Sequence, residues 1–189
     1  MKALAIGCAL LAIGCSGAGS GGEARAPAPG ADPPAATAAV AGGPVLTFSY
    51  ETLDGRELST ASLAGRLSVI GFVATYDVAS QAEARFLAGL LRDHTPRINV
   101  ALLVLEASEN RPLIEAFVAA LKLPYPVAIA DAPTIAGEGP FAGLHHVPSV
   151  VILDPEGREV FRHVGLITQE ALEETLRGIE RAKGTAPAR

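Results

Sequence analysis

With 189 residues, 49% hydrophobic content, 19% charged residues and a formal net charge of -5, the chain has room for one domain of ordinary size plus a tail. Its Lys and Arg residues are scattered over an acidic chain, which excludes a nucleic-acid partner, because a phosphate backbone is met by clustered cations. No P-loop, no dinucleotide fingerprint and no G-x-S-x-G elbow is present, and no cofactor is expected.

Residues 1–14 carry one positive charge, an apolar core and small residues before a cysteine, the pattern of a secretory signal peptide. The apolar run is too short for a stable bilayer span, which takes about 20 residues. Leu11-Ala12-Ile13-Gly14-Cys15 resembles a bacterial lipobox, departing from its commonest form in having Ala12 three residues before the cysteine. The resemblance implies cleavage before Cys15, a lipid on its sulfur, attachment to the membrane through that lipid and, from Ser16, the outer membrane with the domain facing the periplasm. The alternative is ordinary signal-peptide cleavage with an incidental cysteine. The chain has two cysteines, so loss of Cys8 with the leader and acylation of Cys15 would leave no free thiol and no disulfide. Residues 15–43 are Gly, Ala, Ser and Pro with few large apolar side chains, and are expected to form a disordered tether.

The domain is expected over residues 44–183, followed by a frayed tail at 184–189. Val45 to Tyr50 alternates apolar and polar residues, Asp54-Gly55-Arg56 is a turn signal, and a short second strand follows at Glu57 and Leu58, together predicting an edge hairpin. Thr60 is placed to cap a helical turn through Leu63. Leu67 to Thr75 is a continuous apolar run, suited to a strand covered on both faces, and the carboxyl end of such a strand is where open α/β sheets put their chemistry. Val78 to Asp93 places Ala82, Phe86, Leu87, Leu90 and Leu91 on one helical stripe, with Gln81, Glu83, Arg85 and Arg92 on other faces and Asp77 at the N-cap.

Asn99 to Glu106 predicts a second buried strand, Arg111 to Leu121 a second helix with Pro near its start, and Pro126 to Ala130 a third strand. Strand, helix, strand, helix, strand at this spacing means a parallel sheet core. Asp131 to Leu144 reads as a loop with one helical turn near Thr134. Val147 to Asp154 and Glu159 to Gly165 form an antiparallel pair about the Pro155-Glu156-Gly157-Arg158 turn. Thr168 to Ala182 closes the domain as a helix with Leu172, Leu176 and Ile179 inward.

Phe72-Val73-Ala74-Thr75-Tyr76-Asp77-Val78-Ala79-Ser80-Gln81-Ala82-Glu83 lies position for position on a junction of the form F-W-A-T-W-C-x-x-C-x-x-E, and Val147-Pro148-Ser149 and Asp154-Pro155-Glu156-Gly157-Arg158 follow in order. In these features, from Val45 to Ile179, the chain resembles the TlpA/ResA family of membrane-tethered thiol-disulfide oxidoreductases. The resemblance implies a thioredoxin-like α/β fold: a central mixed sheet with a parallel βαβ half, a C-terminal β-hairpin and a closing helix. It also implies envelope localisation and a cis-proline loop at Pro148.

Asp77 and Ser80 stand where that family has its two cysteines. A carboxylate cannot form a mixed disulfide and a hydroxyl cannot resolve one, so disulfide exchange at this site is excluded. No catalytic residue is expected. Of the retained neighbours, Glu83 matches an acidic residue that tunes the family cysteines and is otherwise a solvated helix residue, while Tyr76 replaces a large aromatic and is expected to cover the site. Pro148, if cis, leaves the backbone of Val147 open to an extended peptide. His145 and His146, with Asp77, are weak candidates for a divalent metal such as copper; adjacent histidines on a loop tend to point apart, which favours an ordinary polar loop. His94 and His163 are expected on the surface. The expected function is a binding or scaffolding module for an envelope protein or extended peptide, the alternatives being a redoxin-type role in envelope redox homeostasis, exercised with a cysteine-bearing partner, and weak copper binding.

Overall fold

The computed structural model describes residues 38–39 and 43–184; the expected signal peptide, Cys15, most of the tether and residues 185–189 lie outside the described residues. In chain order the strands and helices are β1 (Ala38–Ala39), β2 (Ser49–Glu51), β3 (Glu57–Ser59), α1 (Thr60–Leu63), β4 (Leu67–Val73), α2 (Val78–His94), β5 (Ile98–Val104), α3 (Arg111–Leu121) and β6 (Val127–Ile129). They are followed by α4 (Ala132–Ile135), β7 (Ser149–Leu153), β8 (Glu159–Val164) and α5 (Gln169–Gly184).

Six strands form one sheet in the order β1-β8-β7-β4-β5-β6, with β4, β5 and β6 parallel and β7 antiparallel to both β4 and β8. All seven residues of β4 are buried, because this strand is central and both sheet faces are covered. On one face Leu87, Leu90, Ile114, Phe117, Leu172 and Leu176 pack against Val69, Val100, Leu102, Val150 and Ile152. On the other, Phe48, Leu58, Leu63, Phe141 and Leu144 cover Ile70, Phe72, Leu103, Val151 and Leu153, with Phe141 edge-on to Phe72 at 4.9 Å between ring centroids. A Cβ built on Gly71 would lie 2.5 Å from Leu87 Cδ1, so glycine in mid-strand is what lets α2 seat this closely on β4.

The hairpin differs from its sequence reading in two ways. It forms its own two-stranded sheet, β2 with β3, instead of extending the main one, and its first strand begins only at Ser49. Upstream, Val45 instead bridges Arg158 and the Leu46 N–H donates to Gly157 O at 3.0 Å. The cap of α1 is Ser59, not Thr60: Ser59 is extended (φ -138°, ψ 166°) and shares a reciprocal capping box with Ser62. The Thr60 hydroxyl goes to Leu46 O at 2.7 Å.

Ala38–Ala39 falls inside the segment read as disordered tether, yet it pairs antiparallel with Arg162 and Phe161 of β8. The open edge of β8 supplies the partners for this pairing. A bulge at Ile152/Leu153 puts Glu159 on the same side as Arg162, whose guanidinium holds it at 2.7 Å. The closing helix runs from Gln169 to Gly184, two residues past its expected end at Ala182 and one past the expected domain boundary at 183. Among the described residues no helix is long and apolar enough to cross a membrane.

Candidate functional site

β8 is antiparallel to β7, which is antiparallel to β4, so β4, β5 and β8 all point the same way. The carboxyl ends of these three strands and the amino end of β7 therefore meet at one end of the sheet. Of the sequence candidates, Tyr76, Asp77 and Ser80 follow β4, and His145, His146, Val147 and Pro148 precede β7.

Asp77 has the extended backbone of an N-cap (φ -98°, ψ 124°), and its Oδ2 accepts from the Ser80 N–H at 2.6 Å and from the Ser80 hydroxyl at 2.7 Å. The Ser80 Oγ also accepts from the Ala74 N–H at 3.2 Å. Ser80 is fully buried, with its hydroxyl engaged as both donor and acceptor. The two residues at the resembled cysteine positions thus form a clip between the end of β4 and the first turn of α2, with neither arranged as a nucleophile.

Glu83 contradicts its solvated reading. It is fully buried, Oε2 accepts from the Ile167 N–H at 3.0 Å, and Oε1 has no hydrogen-bond partner. Burial pushes its carboxyl up to about 7, partly offset by the Ile167 N–H. Nearby, the Tyr125 hydroxyl donates to Ala84 O at 2.6 Å, and burial raises the phenol well above its ordinary value, with the Glu83 charge adding to the effect. The buried face of α2 includes Ser80, Glu83, Ala84, Leu87 and Leu90, and the spacing of Ser80 and Glu83 sets them on the same face as Leu87 and Leu90, where their polarity alone suggests an outward position.

Glu106 was not singled out from sequence. It is buried, Oε1 accepts from the Thr75 N–H, and Oε2 accepts from Asn110 Nδ2 at 2.9 Å, tying the end of β4 to the start of α3. The available signal was an acid closing an otherwise apolar strand run. The Thr75 hydroxyl beside it is buried with no hydrogen-bond partner.

The Val147–Pro148 peptide is cis. The Pro148 carbonyl accepts from the Gly165 N–H at 2.9 Å, while the N–H and carbonyl of Val147 take part in no backbone hydrogen bond among the described residues. Ser149 is buried, its hydroxyl donating to His146 O at 2.7 Å. His145 and His146 are exposed and lie ring against ring at a 43° tilt, 4.2 Å between centroids, instead of pointing apart. Among the described residues no three His, Cys, Asp or Glu side chains are grouped to hold a metal ion, so Asp77 does not converge with the two histidines. His163 is buried, not a surface residue, with Nδ1 unpartnered.

Tyr76 covers nothing: it is 76% exposed, next to Val78 at 78%. Leu113 in the first turn of α3 and Leu166 in the loop after β8 are exposed as well. Four of the five exposed large apolar side chains among the described residues therefore belong to segments leaving one end of the sheet, the fifth being Val45. Isolated exposed apolar residues are ordinary on a protein surface.

No family model matches the chain, and no curated protein matches it. Solved structures do. A DsbF homologue from Corynebacterium diphtheriae aligns with a TM-score of 0.63 at 18% identity, over 71% of this chain and 85% of the other. A thiol:disulfide interchange protein of the thioredoxin family from Chlorobium tepidum aligns at 0.63 and 20% identity, over 74% and 97%. A secreted Mycobacterium tuberculosis disulfide oxidoreductase homologous to E. coli DsbE aligns at 0.58 and 21% identity, over 70% and 96%. Likeness at these identities concerns architecture, and with the mixed sheet, the terminal hairpin and the closing helix it establishes that the chain has a thioredoxin-like fold.

Proposed function

We propose that this chain is a TlpA/ResA-type envelope protein, tethered through a lipid on Cys15 at the outer membrane, that has lost thiol chemistry and binds an extended segment of a partner protein. The observation that carries the reading is the pairing of a lost chemistry with a retained surface. Asp77 and Ser80 occupy the cysteine positions as a closed hydrogen-bonded clip, while Tyr76, Val78 and Leu166 stand exposed and the half-buried Val147 makes no backbone hydrogen bond among the described residues. Backbone pairing at Val147 would supply affinity and the apolar side chains selectivity.

The test has three arms. The purified protein is expected to reduce insulin no faster than a blank; turnover above the blank refutes the loss of thiol chemistry. Crosslinked partners recovered from envelope extract should persist under reductant and disappear with Tyr76→Ser and Leu166→Ser together. Radiolabelled palmitate should enter the wild type and not Cys15→Ser.

A second reading, a redox role exercised with a cysteine-bearing partner, is favoured by the buried Glu83 carboxyl, which is raised toward neutrality beside the site. It predicts the opposite result in one arm: partner capture abolished by reductant.

A further inference from the structure

Arg85, Ala88, Gly89 and Arg92 follow one another on α2 at spacings of three, one and three, which sets them on one face. Together with Lys122, Pro124 and Gln169 they line an open groove of about 510 Å³, whose lining among the described residues holds three cations and no carboxylate. On a chain with a formal net charge of -5, a cation has carboxylates in excess to meet. Yet among the described Lys and Arg residues the side chains of Arg66, Arg85 and Lys122 make no hydrogen bond or ion pair, and two of these three stand in this groove. Arg92 uses Nε and Nη2 on Asp93, at 3.0 and 3.5 Å, and keeps Nη1 unengaged. The two arginines are roughly 10 Å apart along the helix axis. Between them Ala88 and Gly89 carry little or no side chain, and Gly89 admits the Gln169 amide, whose Oε1 would clash with a Cβ built there. Asp93 and Glu173 are themselves engaged, accepting from Gln169 Nε2 at 2.8 and 2.9 Å. Lys122 gives an independent sign. It ends α3 with a left-handed backbone (φ 51°, ψ 49°), the one non-glycine residue at positive φ among those described. Glycine suits that place best, so lysine there bears backbone strain while setting its side chain against the groove.

We propose that this groove binds a phosphate group, carried by a small ester such as glycerol 3-phosphate or by a phospholipid headgroup. A guanidinium fork meets phosphate oxygens in pairs, and lysine meets them as a point charge. A tetrahedral phosphate turns oxygens toward both arginines of α2 and toward Lys122 at once, whereas a carboxylate offers two oxygens in one plane. Three cations match a small, multiply charged anion and fall short of the row of contacts that a nucleic-acid backbone takes. The groove shares no residue with the surface of Tyr76, Val78, Val147 and Leu166, so the inference stands apart from the docking reading.

The experiment follows the amide NMR shifts of Arg85, Gly89, Lys122 and Gln169 as glycerol 3-phosphate, or in a second arm a soluble short-chain phosphatidylglycerol, is added at constant ionic strength. Saturable shifts at these residues are expected, and the ligand that saturates at the lower concentration identifies the source of the phosphate. Arg85→Gln should weaken that ligand about tenfold, as loss of one charge-assisted hydrogen bond does. Lys122→Gly should weaken it to the same extent while holding or raising the thermal midpoint, since glycine relieves the left-handed backbone. That split separates a ligand-binding lysine from one that only ends a helix. Absence of saturable shifts with both phosphate ligands overturns the proposal, and so does full affinity in the two variants. Sodium acetate serves as the carboxylate control, and equal shifts at equal concentration overturn the assignment to phosphate.

Discussion

The Asp77 carboxylate takes both the N–H and the hydroxyl of Ser80 through a single oxygen, at 2.6 and 2.7 Å. Because Ser80 also receives the Ala74 N–H, removing its hydroxyl strands a buried backbone donor. Ser80→Ala is expected to lower the free energy of unfolding by about 1–3 kcal/mol. Asp77→Ala, which removes the cap, should cost about 1 kcal/mol. Urea unfolding of the two single variants and the double variant should give a double effect smaller than the sum, and strict additivity would mean that the clip does not act as a unit.

Glu83 carries a pH dependence of definite sign. Its folded-state value, about 7, lies above the ordinary 4.5, so the native state binds the extra proton and stability falls as pH rises between these values. The full difference is worth roughly 3 kcal/mol, reached above pH 7. Glu83→Gln keeps an acceptor for the Ile167 N–H and has nothing to ionise. It should therefore be more stable than wild type at pH 8 by about 2–3 kcal/mol and show a flatter stability profile from pH 5 to 8. An equal slope in both proteins would contradict this account.

Glu106 holds the Thr75 N–H at the point where β4 gives way to the site. Glu106→Ala leaves that buried donor unpaired and frees Asn110, for an expected loss of about 1–3 kcal/mol. Hydrogen exchange gives a local readout: the Thr75 amide should lose protection before the amides of β4 do. Retained protection at Thr75 would show that Glu106 is dispensable there.

Returning sulfur to the site should return some chemistry. In a variant carrying Asp77→Cys and Ser80→Cys, the first thiol sits at the amino terminus of α2, where helix N–H groups and the dipole favour the thiolate, and the second occupies a buried position one turn on. Insulin reduction above that of the wild type is expected, with a stability loss of about 1 kcal/mol from the missing cap. A folded double variant with no turnover would mean that the surrounding frame no longer supports exchange.

The strands and helices that carry the sheet were legible because their patterns are local. The apolar run of β4 and the spacing and early proline of α3 each specify one element, and α3 begins and ends where its sequence indicated. Polar residues that point inward were not legible in the same way. Ser80, Glu83 and Glu106 are each met in the interior by a group on another segment: Ala74 at the end of β4, Ile167 after β8, and Thr75 beyond β4 together with Asn110. No local period encodes such a partner. The alanines of β1 were missed for a related reason, since their backbone pairing depends on the open edge of β8.

The contacts of Ala38, Ala39, Gly43 and Leu46 with β8 and the turn leading into it also have a mechanical meaning. A pull on the leading segment, directed beyond the carboxyl end of β8, runs parallel to the strands and loads the bonds at Ala38, Ala39, Gly43 and Leu46 together, in shear. The same force applied sideways would peel them open one after another. These contacts therefore resist a pull along the sheet far better than one that pries them from its edge.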